Sequence, residues 1–329
     1  MVKFEEAKFV ENIAGMLALR GRIEAIVDGA KDVRNICWLG IGGTWASCLQ
    51  TVVHMKEKSA LETFAVNAAE YMATGDKRID GHTFVVISSV TGTTVEMVEA
   101  VKKARAAGAK VLGFIDREDS ELVGDVDVCI SYPHNEQLKF FMTADRFMYN
   151  AGEFADYNEF YGELDARLPR ALAEAEKAAD DFGRKFVEKH INDNLHYFVG
   201  AGTLYGATYS YAMCYWEEMH WMRTKSIHSA EFFHGMLEIV DRDTPVTVFV
   251  GEDSQRELGL RVARFLPKIC DNYTIIDTAD YPLDGISKKY RGNLSHLIMH
   301  AVTNRIDAHL EAISGHDMNL RRYYRKLDY

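Results

Sequence analysis

Apolar runs of four to six residues recur along this chain, each closed by glycine or a hydroxyl side chain and followed by a stretch whose apolar positions repeat every three to four residues. After a helical pattern over residues 4–27, Asn35-Ile-Cys-Trp-Leu39 predicts a strand, and Gly40-Ile-Gly-Gly-Thr44 turns it into a helix reaching residue 56. Further strands are expected at 63–66, 83–88, 110–115 and 126–130, with helical patterns in the intervals. Continuous apolar runs, as opposed to alternation, mark strands covered on both faces, and strand-helix alternation makes the sheet parallel. Two helical stretches, 138–161 and 166–190, lead into a second half that starts again with Leu195-His-Tyr-Phe-Val-Gly-Ala-Gly202. Residues 204–222 predict a helix, 245–250 and 273–276 strands, and 254–266 and 294–313 helices. The pattern is that of an α/β chain with two doubly wound parallel sheets, each an αβα sandwich, with helical extensions at both ends. Its halves are residues 1–160 and 161–329.

Composition narrows the function. The 329 residues suit two domains of roughly 150 residues each. A formal net charge of −11 opposes nucleic acid or an anionic membrane as partner, since both require a basic face, and it leaves any bound phosphate dependent on local dipoles. Cys37, Cys48, Cys129, Cys214 and Cys270 are odd in number and widely spaced, which predicts reduced thiols with no metal or redox motif. The start Met-Val-Lys-Phe-Glu-Glu lacks a signal-peptide core, and no apolar stretch approaches the roughly 20 residues of a membrane span. A cytoplasmic location is the expectation.

The most specific chemistry lies in Ile87-Ser-Ser-Val-Thr-Gly-Thr-Thr94, a hydroxyl-rich turn between strand and helix. Ser89, Thr91 and Thr94 can surround a group held at the helix N-terminus, where free N–H groups and the macrodipole favour negative charge, and Gly92 permits close approach of the backbone. One capping residue would need one hydroxyl. The corresponding turn of the second half, Gly251-Glu-Asp-Ser254, carries carboxylates that repel phosphate, so one anion site per chain is expected. A dinucleotide fingerprint fails at Trp45, where glycine is required. Ligands of open α/β sheets sit at the carboxyl ends of strands, which would put Gly43 and Thr44 beside the 89–94 turn.

A second segment, Trp216 to Gly235, mixes carboxylates, imidazoles and aromatics. Glu217 and Glu218 stand late in a predicted helix, where the dipole disfavours them, among Met213, Trp216, Met219 and Trp221. Desolvation there would raise a carboxyl toward the range of a general base, and the pattern leaves open which of the two faces the site. His220 and His228 read as structural, whereas His234, before glycine and near Glu231, suits a proton donor. These three histidines lack the i, i+4 spacing of a helical zinc pair, and no metal or cofactor is expected.

With both segments in view, most of the chain resembles the tandem sugar isomerase (SIS) family of phosphosugar-binding proteins. Ser89-Val90-Thr91-Gly92-Thr93-Thr94 is similar to the family's S-x-S-G-x-T phosphate loop, with Thr91 keeping a hydroxyl in place of the second serine. Gly42-Gly43-Thr44 is similar to its G-[TS]-S turn, with Trp45 where the isomerase domain of glucosamine-6-phosphate synthase has serine. Ala230-Glu231-Phe-Phe-His234-Gly235 resembles that synthase's G-E-L-K-H-G segment, and the separation of sixteen positions between catalytic Glu and ring-opening His selects Glu218 and His234. Within the family, Gly40-Ile-Gly-Gly, the run Ala230 to Ile239 and the tail Arg321 to Tyr329 resemble fructosamine-6-phosphate deglycases. The tail places Arg325 where the synthase has a lysine; arginine binds an anion but is a poor base, which favours deglycation over aminosugar synthesis. The resemblance implies a phosphorylated sugar-amine substrate, no cofactor, and a homodimer or larger homo-oligomer with shared active sites. Phosphate would bind at Ser89, Val90, Thr91, Thr94, Gly43 and Thr44, and Glu231 and Arg325 would contact substrate. A glucosyl-adduct deglycase, an aldose–ketose isomerase, an aminosugar-phosphate deaminase and a non-catalytic sensor are the alternatives it leaves.

Overall fold

The computed structural model describes residues 1–328, in two compact units: Glu11–Ala166, and Met1–Val10 together with the chain from Arg167 onward. In chain order the elements are α1 (Glu6–Ala18), α2 (Arg20–Gly29), β1 (Asn35–Gly40), α3 (Gly43–Lys56), β2 (Glu62–Asn67), α4 (Ala68–Thr74), β3 (Thr83–Ser89), α5 (Val95–Ala106), β4 (Lys110–Ile115), α6 (Glu121–Asp125), β5 (Val128–Ile130), α7 (Glu136–Asn150), α8 (Tyr157–Ala178), α9 (Asp180–His190), β6 (His196–Gly200), α10 (Thr203–Ser210), β7 (Thr224–His228), β8 (Val246–Val250), α11 (Arg256–Phe265), β9 (Tyr273–Asp277) and α12 (Ser295–Ser314).

The first unit carries a five-stranded sheet in the order β2-β1-β3-β4-β5, every pair parallel. The order reverses at β1, so the turns after β1 and β3 flank the switch point, where ligands of this sheet type bind. All residues of β1 and β3 are buried, as their unbroken apolar runs predict. One sheet face packs Leu39, Val85, Ile87 and Val111 against Met97, Val98 and Val101 of α5. On a neighbouring layer the Trp38 ring lies 5.2 Å from Phe140 of α7 while its indole N–H donates to Thr63 Oγ1 at 2.9 Å.

The second unit has a four-stranded parallel sheet, β7-β6-β8-β9, again reversing after its first strand in sequence. The halves also share one local device. Gly42 before α3 and Gly202 before α10 hold nearly the same conformation, φ 61 with ψ −128 and −140, which only glycine adopts readily. Two apolar clusters cover the two faces of this sheet. Phe198, Tyr211, Trp216 and Phe249 pack with α12 in one, and Val199, Phe232, Val248 and Val262 form the other.

Four expectations are corrected. The N-terminal helical stretch is two helices broken at Leu19, which bends the chain without leaving helical dihedrals. The break expected between residues 161 and 166 falls at 151–156, where Gly152 takes φ 76, and α8 then runs through Pro169. The helix expected over 204–222 is α-helical only to Ser210; Tyr211–Met219 widens to a π-helix, with the His220 N–H reaching back to the Tyr215 carbonyl at 2.9 Å. Tyr211, Tyr215 and Trp216 of this segment pack into one apolar cluster, and such π segments are frequent at functional sites. Strand β7 went unpredicted because Thr-Lys-Ser-Ile-His carries too few apolar residues for an edge strand to announce itself. The cysteines are free, with Cys37, Cys48 and Cys270 buried and Cys129 and Cys214 half-buried, and burial pushes the Cys37 and Cys48 thiols up.

The connection from α9 to β6 is tied by a buried cluster. Asp193 Oδ2 accepts from Nδ1 of His190 at 2.7 Å and of His196 at 2.9 Å, and the Nε2 atoms meet the hydroxyls of Thr274 and Thr247. Burial pushes the His196 imidazole down to about 4. Burial raises the Asp193 carboxyl, but the hydrogen bonds from both histidines outweigh it and bring it down to about 2. An unfolded histidine titrates near 6.5, so between that pH and about 4 the unfolded chain binds a proton that folded His196 refuses. Stability therefore falls as pH drops through that window, by up to about 1.4 kcal/mol per pH unit at full effect, and falls further from 3.8 toward 2 as Asp193 protonates. Urea midpoints measured from pH 7 to 4 should show this slope, flattened in His196→Gln; an unchanged slope in that variant would assign the acid sensitivity elsewhere.

Candidate functional site

The hydroxyl-rich turn lies between β3 and α5, the place its sequence pattern predicts. Strand β3 ends at Ser89, and Thr94 is the residue before α5, with extended dihedrals (φ −68, ψ 118) and no side-chain capping bond to the helix. The first amides of α5 thus remain for an anion at a twelve-residue helix start. Ser89 is buried, and its Oγ accepts the Gly92 N–H at 3.0 Å, which leaves the serine hydrogen to donate. Thr91 Oγ1 accepts from the Thr93 hydroxyl at 3.2 Å. Val90 is 68% exposed, so only its backbone can serve a ligand held between the hydroxyls.

Gly92 meets a further constraint beyond the one expected. It takes φ 62, and a Cβ there would stand 2.0 Å from Ser120 Oγ, so the chain behind the loop fills the side-chain space. Across the switch point, Gly43 opens α3. Thr44 Oγ1 lies 3.4 Å from the Ser88 carbonyl and donates to Glu136 Oε2 at 2.8 Å, an acidic neighbour that sequence reading did not bring to this turn.

In the second unit the equivalent helix start is filled from within. Asp253 Oδ2 accepts from both the N–H and the hydroxyl of Thr203 at 2.8 Å, and a Cβ on Gly202 would meet that carboxylate at 2.3 Å. Glu252 is ion-paired to Arg291 at 2.7 Å.

Glu218 stands at the end of the π-helix, its side chain 34% exposed, with Arg321 Nε donating to Oε1 at 2.8 Å. This carboxylate is held in an ion pair and is more open than the largely covered surface expected from its apolar neighbours. Glu217 is exposed and accepts from the Thr224 hydroxyl at 2.7 Å, pinning the helix end to β7. Both line a cavity of about 850 Å³ whose walls also include Asn194, Trp221, Arg223, Arg321 and Arg322, a volume within the range of small-molecule sites. Trp221 takes φ 59, unusual for a bulky residue. It is held there by the His316 ring at 4.2 Å and the Arg322 guanidinium at 4.1 Å, while His316 Nε2 donates to the Met219 carbonyl at 2.9 Å.

The tail therefore meets the cavity through Arg321 and Arg322. Arg325, the expected contact, is exposed at φ 56 beside the Tyr324 ring and is absent from the cavity wall. Sequence reading missed Arg321 because paired arginines in a polar tail carry no periodic signal. His234 and Glu231 are exposed on the short helical turn after β7. Their segment packs through Phe232 on one face of the second sheet, whereas the helix leading to Glu218 packs through Trp216 on the other. Within one unit a sheet separates Glu218 from His234. Among the described residues, the group able to hold a metal is His190, Asp193 and His196, whose ligand atoms lie within 4.8 Å of one another; His220, buried on Asp307, and the exposed His234 do not join such a set.

Comparison with known proteins follows this geometry. Residues 31–145, which span β1 to α7, match the family model of the SIS domain. The fructosamine deglycase FrlB of Bacillus subtilis is 25% identical over 311 residues, covering 91% of this chain and 94% of that protein. The fructoselysine 6-phosphate deglycase of Escherichia coli is 26% identical over 310 residues, covering 92% and 89%. Among solved structures, a Bacillus subtilis chain described as a phosphosugar isomerase superposes with a TM-score of 0.89 at 22% identity, covering 96% of this chain and all of the other. The C-terminal domain of a glucosamine-fructose-6-phosphate aminotransferase from Francisella tularensis gives 0.78 at 15% identity, covering 95% of each. At these identities the superpositions establish a shared fold.

Proposed function

From a chain that carries a SIS domain at residues 31–145 and repeats its turn and strand order in a second parallel sheet, we propose a phosphosugar enzyme of the deglycase kind. It cleaves a 6-phosphorylated fructosamine, such as fructoselysine 6-phosphate, with water, to glucose 6-phosphate and a free amino acid. The reading is carried by one observation: a carboxylate, Glu218, opens onto a cavity of about 850 Å³ with a guanidinium on it at 2.8 Å. Arg321 Nε donates to one carboxylate oxygen, which fixes the orientation of the side chain while the other oxygen is left for substrate. The names of the two deglycases support the substrate class.

In this mechanism the phosphate is held by Ser89, Thr91, Thr94 and the first amides of α5, so that binding energy from a remote group orients the reacting carbons. His234 protonates the ring oxygen and the sugar opens. Glu218 takes a proton from C1 as the C2 oxygen gains one, giving the enaminol, and then delivers a proton to C2 as the nitrogen gives up its own, which turns the C2 ketone with its C1 amine into an imine at C1 and a hydroxyl at C2. Water adds to that imine, the C–N bond breaks, and the amine leaves with both hydrogens of that water on its nitrogen while the oxygen stays on C1 as the aldehyde of glucose 6-phosphate. The same reading takes the protein to be a cytoplasmic homodimer, and the sheet between Glu218 and His234 within one chain supports His234 coming from the partner.

The pure protein, incubated with 6-phosphorylated fructosamines of lysine, aspartate and glycine and with free hexose 6-phosphates, should release glucose 6-phosphate and amine from at least one adduct. Interconversion of free glucose and fructose 6-phosphates without amine release would replace deglycation by isomerisation. No turnover of any member would remove the catalytic reading.

A further inference from the structure

Glu136 is the first residue of α7, and two consecutive non-glycine residues at positive φ, His134 (66) and Asn135 (54), precede it. That strained turn delivers its carboxylate to the switch point, where it accepts the Thr44 hydroxyl at 2.8 Å, beside the carbonyl of Ser88 at the end of β3. Glu136 is half-buried, and among the described residues no lysine or arginine forms an ion pair with it. One turn along α7, the buried Lys139 ammonium is committed to Asp116 at 3.3 Å and to the Tyr132 carbonyl. The Lys139 charge, one turn away, and the positive end of α7 together offset the charge of Glu136.

A half-buried carboxylate with no cation in direct contact, next to a hydroxyl turn at a helix start, works against anion binding there unless the ligand brings donors to it. An ionised carboxylate only accepts hydrogen bonds, up to four across two oxygens, and Thr44 uses one. We propose that Glu136 is a specificity-determining residue: it accepts hydrogen bonds from the hydroxyls on the carbons next to the phosphate ester, so that the site takes phosphate carried on a polyhydroxylated chain and discriminates against phosphate alone. This rests on the phosphosugar reading above and deepens it. The donors in question are hydroxyls and not the substrate nitrogen, because the amine sits on C1, at the far end of the sugar from the cup. Thr44 then acts as a strut that orients Glu136, since its hydrogen is directed there and away from the phosphate.

Calorimetric titration of the full protein with sorbitol 6-phosphate and with inorganic phosphate separates the alternatives. The wild type should bind sorbitol 6-phosphate more tightly. Glu136→Ala should weaken sorbitol 6-phosphate about tenfold or more while inorganic phosphate binds as well or better, because a charge-assisted acceptor is lost and a repelling charge is removed. Glu136→Gln, whose amide oxygen still accepts, should fall between. Equal losses for both ligands in both variants, with circular dichroism unchanged, would reduce Glu136 to a structural support of Thr44 and overturn the proposal. Failure of the wild type to bind sorbitol 6-phosphate at all would instead sink the phosphosugar reading, and this inference with it.

Discussion

Glu218→Gln should lower turnover of the phosphorylated fructosamine by about 10²- to 10⁴-fold while KM moves by no more than a few-fold. Glutamine keeps the shape and still accepts from Arg321 Nε, so the cavity wall and the 2.8 Å contact survive, but its amide cannot take the C1 proton. The effect falls on kcat because the lost interaction exists only while the proton is in flight. Glu217→Gln is the matched control: Glu217 is exposed and bonded to Thr224, and its replacement should leave turnover near wild type. If Glu217→Gln lost activity and Glu218→Gln did not, the base would be the other carboxylate of the pair.

Mixing two dead variants should restore activity. On the proposed reading, Glu218→Gln and His234→Ala should each inactivate every site of their own homodimer, because each site would need both groups. In a mixed dimer one site draws Glu218 from the second chain and His234 from the first, and is intact. Random exchange of equal amounts makes half of the dimers mixed with one good site of two, which is about a quarter of wild-type activity for a two-fold symmetric dimer. The structural ground is the sheet between them: Trp216, in the helix leading to Glu218, and Phe232, in the segment carrying His234, belong to clusters on opposite faces. No restoration after exchange, with mixed dimers confirmed by mass spectrometry, would place both groups of a site in one chain.

Local rules made much of this fold legible. The strands of the first unit announced themselves because they are buried on both faces and so written in unbroken apolar residues, as Thr83 to Ser88 is. The cup was legible because three hydroxyls around one glycine exceed what a helix cap requires. Reading stopped where the deciding forces were not local. Strand β7 pairs only with β6 and reads as polar, the π-helix answers to aromatic rings packed against α12, and α8 runs through Pro169. At Gly92 the structure adds a constraint that local reading could not reach, since Ser120, whose Oγ a Cβ there would meet, lies 28 positions away in sequence.

The amino-acid order by itself determined the class of the protein: a repeated strand, glycine turn and helix, one hydroxyl cup in the first half, and carboxylates where the second half would need hydroxyls. Periodicity and turn chemistry act over a few residues, so they survive in one dimension. Tertiary structure alone decided which charges meet. Arg321 on Glu218 joins residues 103 positions apart, Glu136 on Thr44 joins residues 92 apart, and Asp253 fills the helix start at Thr203. Electrostatic partners are chosen by distance in space, which the chain order carries only through the completed fold.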